Sequence, residues 1–167
     1  MKKFLPILIL LFCSASAIAE QQEPPPAPVQ ISEAPAIQHD AMSQLTNYAM
    51  SLIDTPYKYG GNSSESGFDC SGFVRHVFQK TLGWLLPHNS REISHTGEPL
   101  QPGQLSPGDL VFYNTRHKPF SHVGIYIGGN QFVHSPSRGK SIEVVNMSEK
   151  YWRKRYNGAR RIPLQSS

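Results

Sequence analysis

The first apolar stretch, Phe4 to Phe12, is a run without helical or alternating period. A stretch poor in core-forming residues follows from Glu20 to Gln38, with Pro24, Pro25, Pro26, Pro28 and Pro35, and predicts an extended, semi-rigid linker. Near Asp40 the pattern changes again. Met42, Leu45, Ala49, Leu52 and Ile53 recur at helical spacing, with Asp40 as the expected cap and Pro56 as the stop. Tyr57 to Gly61 and a polar loop to Gly67 lead to a second helix, from about Cys70 to Thr81. Phe73, Val74, Val77 and Phe78 form its apolar stripe, and Asp69 stands at its N-cap. Beyond Gly83 the chain reads as a loop punctuated by Pro87, Pro99, Pro102 and Pro107. Strands are predicted at Asp109 to Tyr113, His122 to Ile127, Gln131 to Ser135, Ser141 to Val145 and Gly158 to Ile162. Helices first and an antiparallel sheet after them give an α+β class.

The N-terminal run sets the compartment. Lys2 and Lys3 precede it, it is too short to cross a bilayer, and Ala17-Ile18-Ala19 follows it. This is the pattern of a secretory signal peptide cleaved after Ala19. Cys13 offers the alternative of a lipoprotein signal, but that wants a small residue before the cysteine and Phe12 stands there. The expected arrangement is a signal peptide over 1–19, a Pro-rich linker over 20–39 and one domain over 40–167, exported to the periplasm as a soluble monomer.

Composition changes this picture little. The net charge of the 167-residue chain is +4, and losing Lys2 and Lys3 with no acid leaves +2. The basic residues cluster late, at Lys150, Arg153, Lys154, Arg155, Arg160 and Arg161. Such a cluster is either a solvated face or a weak contact for anionic wall polymer or a membrane surface. The compartment disfavours nucleic acid as a partner.

Cleavage after Ala19 leaves Cys70 as the single cysteine. A lone thiol in an oxidising compartment is either buried or used. Cys70 falls at the predicted first turn of a helix, where unpaired N–H groups and the helix dipole favour a thiolate. The competing reading is an inert cysteine of an amphipathic helix; the polar neighbours Asp69 and Ser71 weaken it without removing it.

His122 and His134 are the candidate partners. Period two puts His122, Gly124 and Tyr126 on one face of a strand. A three-residue loop Gly128-Gly129-Asn130, or a bulge of equal effect, pairs Gly124 with His134 and sends both imidazoles to one side; a two-residue loop alone would separate them. Gly124 is expected to leave room for the helix that carries Cys70. The roles follow as nucleophile Cys70, base His122 and orienter His134. His39, His76, His88, His95 and His117 read as ordinary surface or core histidines. A zinc site made of Cys70, His122 and His134 is the rival use, but the short ligand spacings common in zinc sites are absent and no carboxylate stands out as a base.

The segments Pro56-Tyr57-Lys58-Tyr59-Gly60-Gly61, Asp69-Cys70-Ser71-Gly72-Phe73-Val74, Pro107-Gly108-Asp109-Leu110-Val111, Ser121 to Gly128 and Phe132-Val133-His134 resemble, as an ordered set, the NlpC family of cell-wall cysteine peptidases. The resemblance runs from about Asp40 to Ile162, and the tail Tyr151 to Asn157 is similar to the Spr-type murein endopeptidases within that family. It implies a papain-like fold, with a helix carrying the cysteine against a sheet carrying the histidines. It also implies hydrolysis of peptidoglycan stem peptides with no metal or other cofactor. It carries the nucleophile onto Cys70, the base onto His122, the third polar residue onto His134 and an oxyanion contact onto Tyr57, which the residues alone read equally well as a packing aromatic. Two features depart from it: the Spr-type proteins are lipoproteins, and the loop Asn62 to Gly67 is slightly long. Arg75, Arg91 and Arg116 are candidate contacts for stem-peptide carboxylates. A wall-binding module without catalysis, or a thiol amidase or transpeptidase, are the alternative functions.

Overall fold

The computed structural model describes residues 33–101 and 103–164. The expected signal peptide and the linker up to residue 32 lie outside them. The first element is helix α1, Glu33–Ser51. It begins earlier than the apolar periodicity predicts, so Asp40 lies inside the helix and does not cap it. Pro35, expected in the linker, falls within this helix. Proline is tolerated in a first helical turn, where its missing N–H would have no partner anyway. The predicted apolar stripe does mark the packed part: Leu45 and Ala49 are fully buried.

A two-stranded hairpin, β1 (Asn62–Ser63) and β2 (Gly67–Phe68), precedes helix α2, Cys70–Leu82. The α2 start is fixed by Asp69, whose carboxylate accepts hydrogen bonds from the Gly72 N–H at 2.7 Å and from the Ser71 hydroxyl. Gly83, at φ +71°, closes it in the left-handed conformation. Helix α3 (Ser90–Ile93) and strand β3 (Glu98–Leu100) occupy the stretch read as loop. Both are too short to register as periodicity, and Pro99 is admissible because β3 is an edge strand.

Strands β4 (Leu110–Tyr113), β5 (His122–Gly128), β6 (Gln131–His134) and β7 (Glu143–Asn146), helix α4 (Lys150–Arg153) and strand β8 (Tyr156–Arg161) complete the chain. The sheet runs β3-β8-β4-β5-β6-β7, with antiparallel pairing throughout. Alternation along its strands divides the interior in two. Phe112, Val123, Ile125 and Val133 face α1 and α2 in the larger core. Val111, Tyr113, Phe132 and Ala159 face the other way and close over Trp152 of α4. Asp109, nearly fully buried before β4, is held by two bonds from Arg161 of β8, at 2.9 and 2.8 Å. This pair ties the Pro107-Gly108-Asp109 turn to the sheet.

Candidate active site

The β5–β6 hairpin decides where the histidines point. Ile125 pairs with Val133 and Tyr126 with Phe132, and the register then slips before Gly128 pairs with Gln131. The turn itself is two residues, Gly129 at φ +57° and Asn130 at φ +60°, the geometry favoured for tight hairpins. The bulge restores the parity that a two-residue turn would break. Both imidazoles therefore share one face, and His122 Nε2 lies 2.8 Å from His134 Nδ1. Both rings are buried, and the Trp152 indole stacks on His122 and meets His134 edge-on.

Gly124 serves a different purpose from the one expected. A Cβ there would lie 2.5 Å from the Phe132 ring and 2.9 Å from the Val133 carbonyl. The space is taken by the neighbouring strand. Helix α2 packs on the opposite face, against Val123 and Ile125. The close approach that α2 does need is made at Gly72, where a Cβ would stand 2.0 Å from the Gly61 carbonyl oxygen.

Cys70 opens α2 and lines a cleft of about 570 Å3 together with His122, Tyr57, Arg116 and Trp152. A helix N-terminus alone would lower the thiol pKa. Burial, then the nearby Asp69 carboxylate, instead push it up to about 11, against the backbone N–H groups of Val123 and Ser71 and the charge of Arg116. Burial, then Arg116, push His122 down to about 3. His134 is held well below its ordinary value by burial and by the neighbouring His122 and Lys140. Both shifts favour a neutral thiol beside a neutral imidazole, a state from which proton transfer would accompany attack on a substrate. Tyr57 lines the same cleft, with a pKa raised by burial and opposed by Arg116.

All four sequence-derived site residues thus line or directly back one cleft. Of the three arginines, Arg75 is spent on the Leu86 carbonyl at 2.7 Å, while Arg116 reaches the cleft. His76 is a packing residue, bonded to the Tyr48 hydroxyl. Sequence reasoning missed Trp152 and Glu143. Glu143 pairs directly with His134 across β6–β7, a neighbour that the strand prediction alone could have located. Among the described residues no group of three or more His, Cys, Asp or Glu side chains is arranged to hold a metal ion; the facing nitrogens of His122 and His134 bond each other.

A model described as the NlpC/P60 family matches residues 54–161. Murein DD-endopeptidase MepH of Escherichia coli K12 is 38% identical over 119 residues, covering 70% of this chain and 44% of that protein. Gamma-DL-glutamyl hydrolase of Bacillus subtilis is 39% identical over 115 residues, covering 68% of this chain and 28% of that protein. The chain thus spans less than half the length of these relatives. Among solved structures, an NlpC/P60 family protein from Bacillus cereus superposes with a TM-score of 0.69 at 31% identity, covering 74% of this chain and 40% of that one.

Proposed function

With the chain a member of the NlpC/P60 family, we propose that it is a peptidoglycan endopeptidase that hydrolyses stem-peptide amide bonds through Cys70. The observation that carries this reading is the 2.8 Å bond between His122 Nε2 and His134 Nδ1 beside the cysteine in one cleft. With Nε2 engaged, Nδ1 is the His122 nitrogen left to take the thiol proton. The sulfur attacks the carbonyl carbon and forms the S–C bond, and the oxyanion develops within reach of the Tyr57 side of the cleft. His122 then gives its proton to the leaving amine as the C–N bond breaks. Water, deprotonated by the same nitrogen, hydrolyses the thioester and returns the thiol. His134 orients the ring and stabilises its transient positive charge.

The two relatives described above carry different names, a murein DD-endopeptidase and a gamma-DL-glutamyl hydrolase, at nearly equal identity. Identity therefore does not choose between the D-Ala–diaminopimelate cross-link and the γ-D-Glu–diaminopimelate bond. The tail that resembles the Spr-type enzymes supplies Tyr151 and Trp152 to the cleft wall, which favours the cross-link. Such a substrate requires export, in line with the signal peptide expected over 1–19 and a soluble periplasmic protein. Among the described residues no helix is long and apolar enough to cross a membrane.

The test is digestion of purified sacculi, with the fragments identified by mass spectrometry. Wild type is expected to release fragments and the Cys70→Ala and His122→Ala proteins to release none while remaining folded. Equal turnover by Cys70→Ala would overturn the reading.

A further inference from the structure

The loop between β4 and β5 separates the catalytic cleft from a second depression of about 650 Å3, lined by Arg91, His95, Arg116, Lys118, Pro119 and Phe120, with Asn89, Ser90 and Ser121. Arg116 lines both. The second groove has cationic side chains and no carboxylate in its lining; Glu92, on the same short helix as Arg91, is not part of it. The loop is held in place from several sides. The Ser121 hydroxyl accepts bonds from the Thr115 and Arg116 N–H groups. Asn157 accepts from the Phe120 N–H, and Ser90 donates to the Phe120 carbonyl. His117 and Phe120 sit at positive φ, +56° and +55°, a strain that such fixing sustains. The groove is therefore a preformed, positively charged surface that meets the catalytic cleft at Arg116.

We propose that this groove is a second substrate subsite, which takes the carboxylate-bearing peptide strand that lies beyond the scissile amide. The inference rests on the endopeptidase reading, and it adds which feature of the substrate is recognised and where. Free carboxylates suit forked guanidinium donors at Arg91 and Arg116 and a point charge at Lys118. The apolar floor of Pro119 and Phe120 suits short alkyl side chains between those charges. An exposed groove of this kind contributes through summed charge, so its effect falls as salt rises.

The experiment measures binding of cross-linked muropeptides by calorimetry at low and moderate salt, in the Cys70→Ala background so that ligand is not consumed. Arg91→Glu/Lys118→Glu is expected to weaken binding about tenfold at low salt, as charge reversal within a complementary interface does. Arg91→Gln/Lys118→Gln is expected to lose less. It also serves as the informative variant if thermal unfolding shows the reversal to be misfolded. Muropeptides whose carboxylates are capped as primary amides are expected to bind both forms alike. Unchanged affinity for the uncapped fragments, or an equal loss for the capped ones, overturns the proposal. So does an equal loss from Lys150→Glu/Arg153→Glu, which would mean that any basic residue serves. In parallel, wild type and Arg91→Glu/Lys118→Glu with Cys70 intact are given sacculi. Failure of wild type to cut them sinks the endopeptidase reading; cutting by wild type together with unaltered variant binding sinks only the subsite.

Discussion

The buried Nε2 atom of His134 stands 3.8 Å from a Glu143 carboxylate oxygen and makes no hydrogen bond. For His122 Nδ1 to accept a proton, the His122 hydrogen must sit on Nε2 and point to His134 Nδ1. The His134 hydrogen is then on Nε2, aimed at Glu143. Glu143 is shared with Lys140, at 3.4 Å. Glu143→Gln is expected to lower kcat about tenfold with KM unchanged, a part of the 10²–10⁴ that a positioned base supplies. Lys140→Ala should not produce this loss, and an unaltered kcat in Glu143→Gln would exclude the carboxylate from the chain of rings.

A neutral resting thiol has a direct chemical signature. With Cys70 pushed up to about 11, its alkylation by iodoacetamide is expected to climb steadily from pH 7 to pH 10. A rate that levels off below neutrality would mean a preformed thiolate–imidazolium pair and contradict the proton order given above.

Acid is expected to destabilise the fold through the two rings. Their folded pKa values lie below the ordinary 6.5, at about 3 for His122 and in the same direction for His134. Below 6.5 the unfolded chain binds protons that the folded chain refuses, so stability falls as pH drops from 6.5 toward 3. Urea midpoints at pH 7.5, 5.5 and 4.5 should show this decline, and His122→Gln/His134→Gln should flatten it. A slope as steep in that double variant would assign the effect to other groups.

Gly72→Ala sets two effects against each other. Helix propensity alone would stabilise by up to about 1 kcal/mol. The new Cβ would meet the Gly61 carbonyl oxygen at 2.0 Å, and that atom is backbone. The clash wins, with an expected net loss of about 2 kcal/mol, read from urea unfolding. A stabilised variant would show that α2 can move away from the 61–62 segment at no cost.

Much of this site was legible because its residues obey simple periods. The stripe at Phe73, Val74, Val77 and Phe78, the cap at Asp69 and the shared face of His122 and His134 each follow from spacing, and each appears in the structure. What escaped was not periodic. Helix α3 and strand β3 are too short for any repeat to emerge. The beginning of α1 carries no apolar stripe, because its first turns lie before the core contact at Leu45. Trp152 comes from a four-residue helix on the far face of the sheet, and no local pattern announces a long-range stacking partner. The raised pKa of Cys70 depends on enclosure, which a helix-terminus argument cannot see.

The bulge between Tyr126 and Gly128 links a solvent-side turn to chemistry at the far end of β6. The turn sets an even–odd rule for everything downstream on β6: one residue added or removed there, with the bulge kept, would rotate His134 toward the aliphatic core and leave His122 alone. Variation at that tip is therefore constrained to changes by pairs, or to changes that trade the bulge for a longer turn.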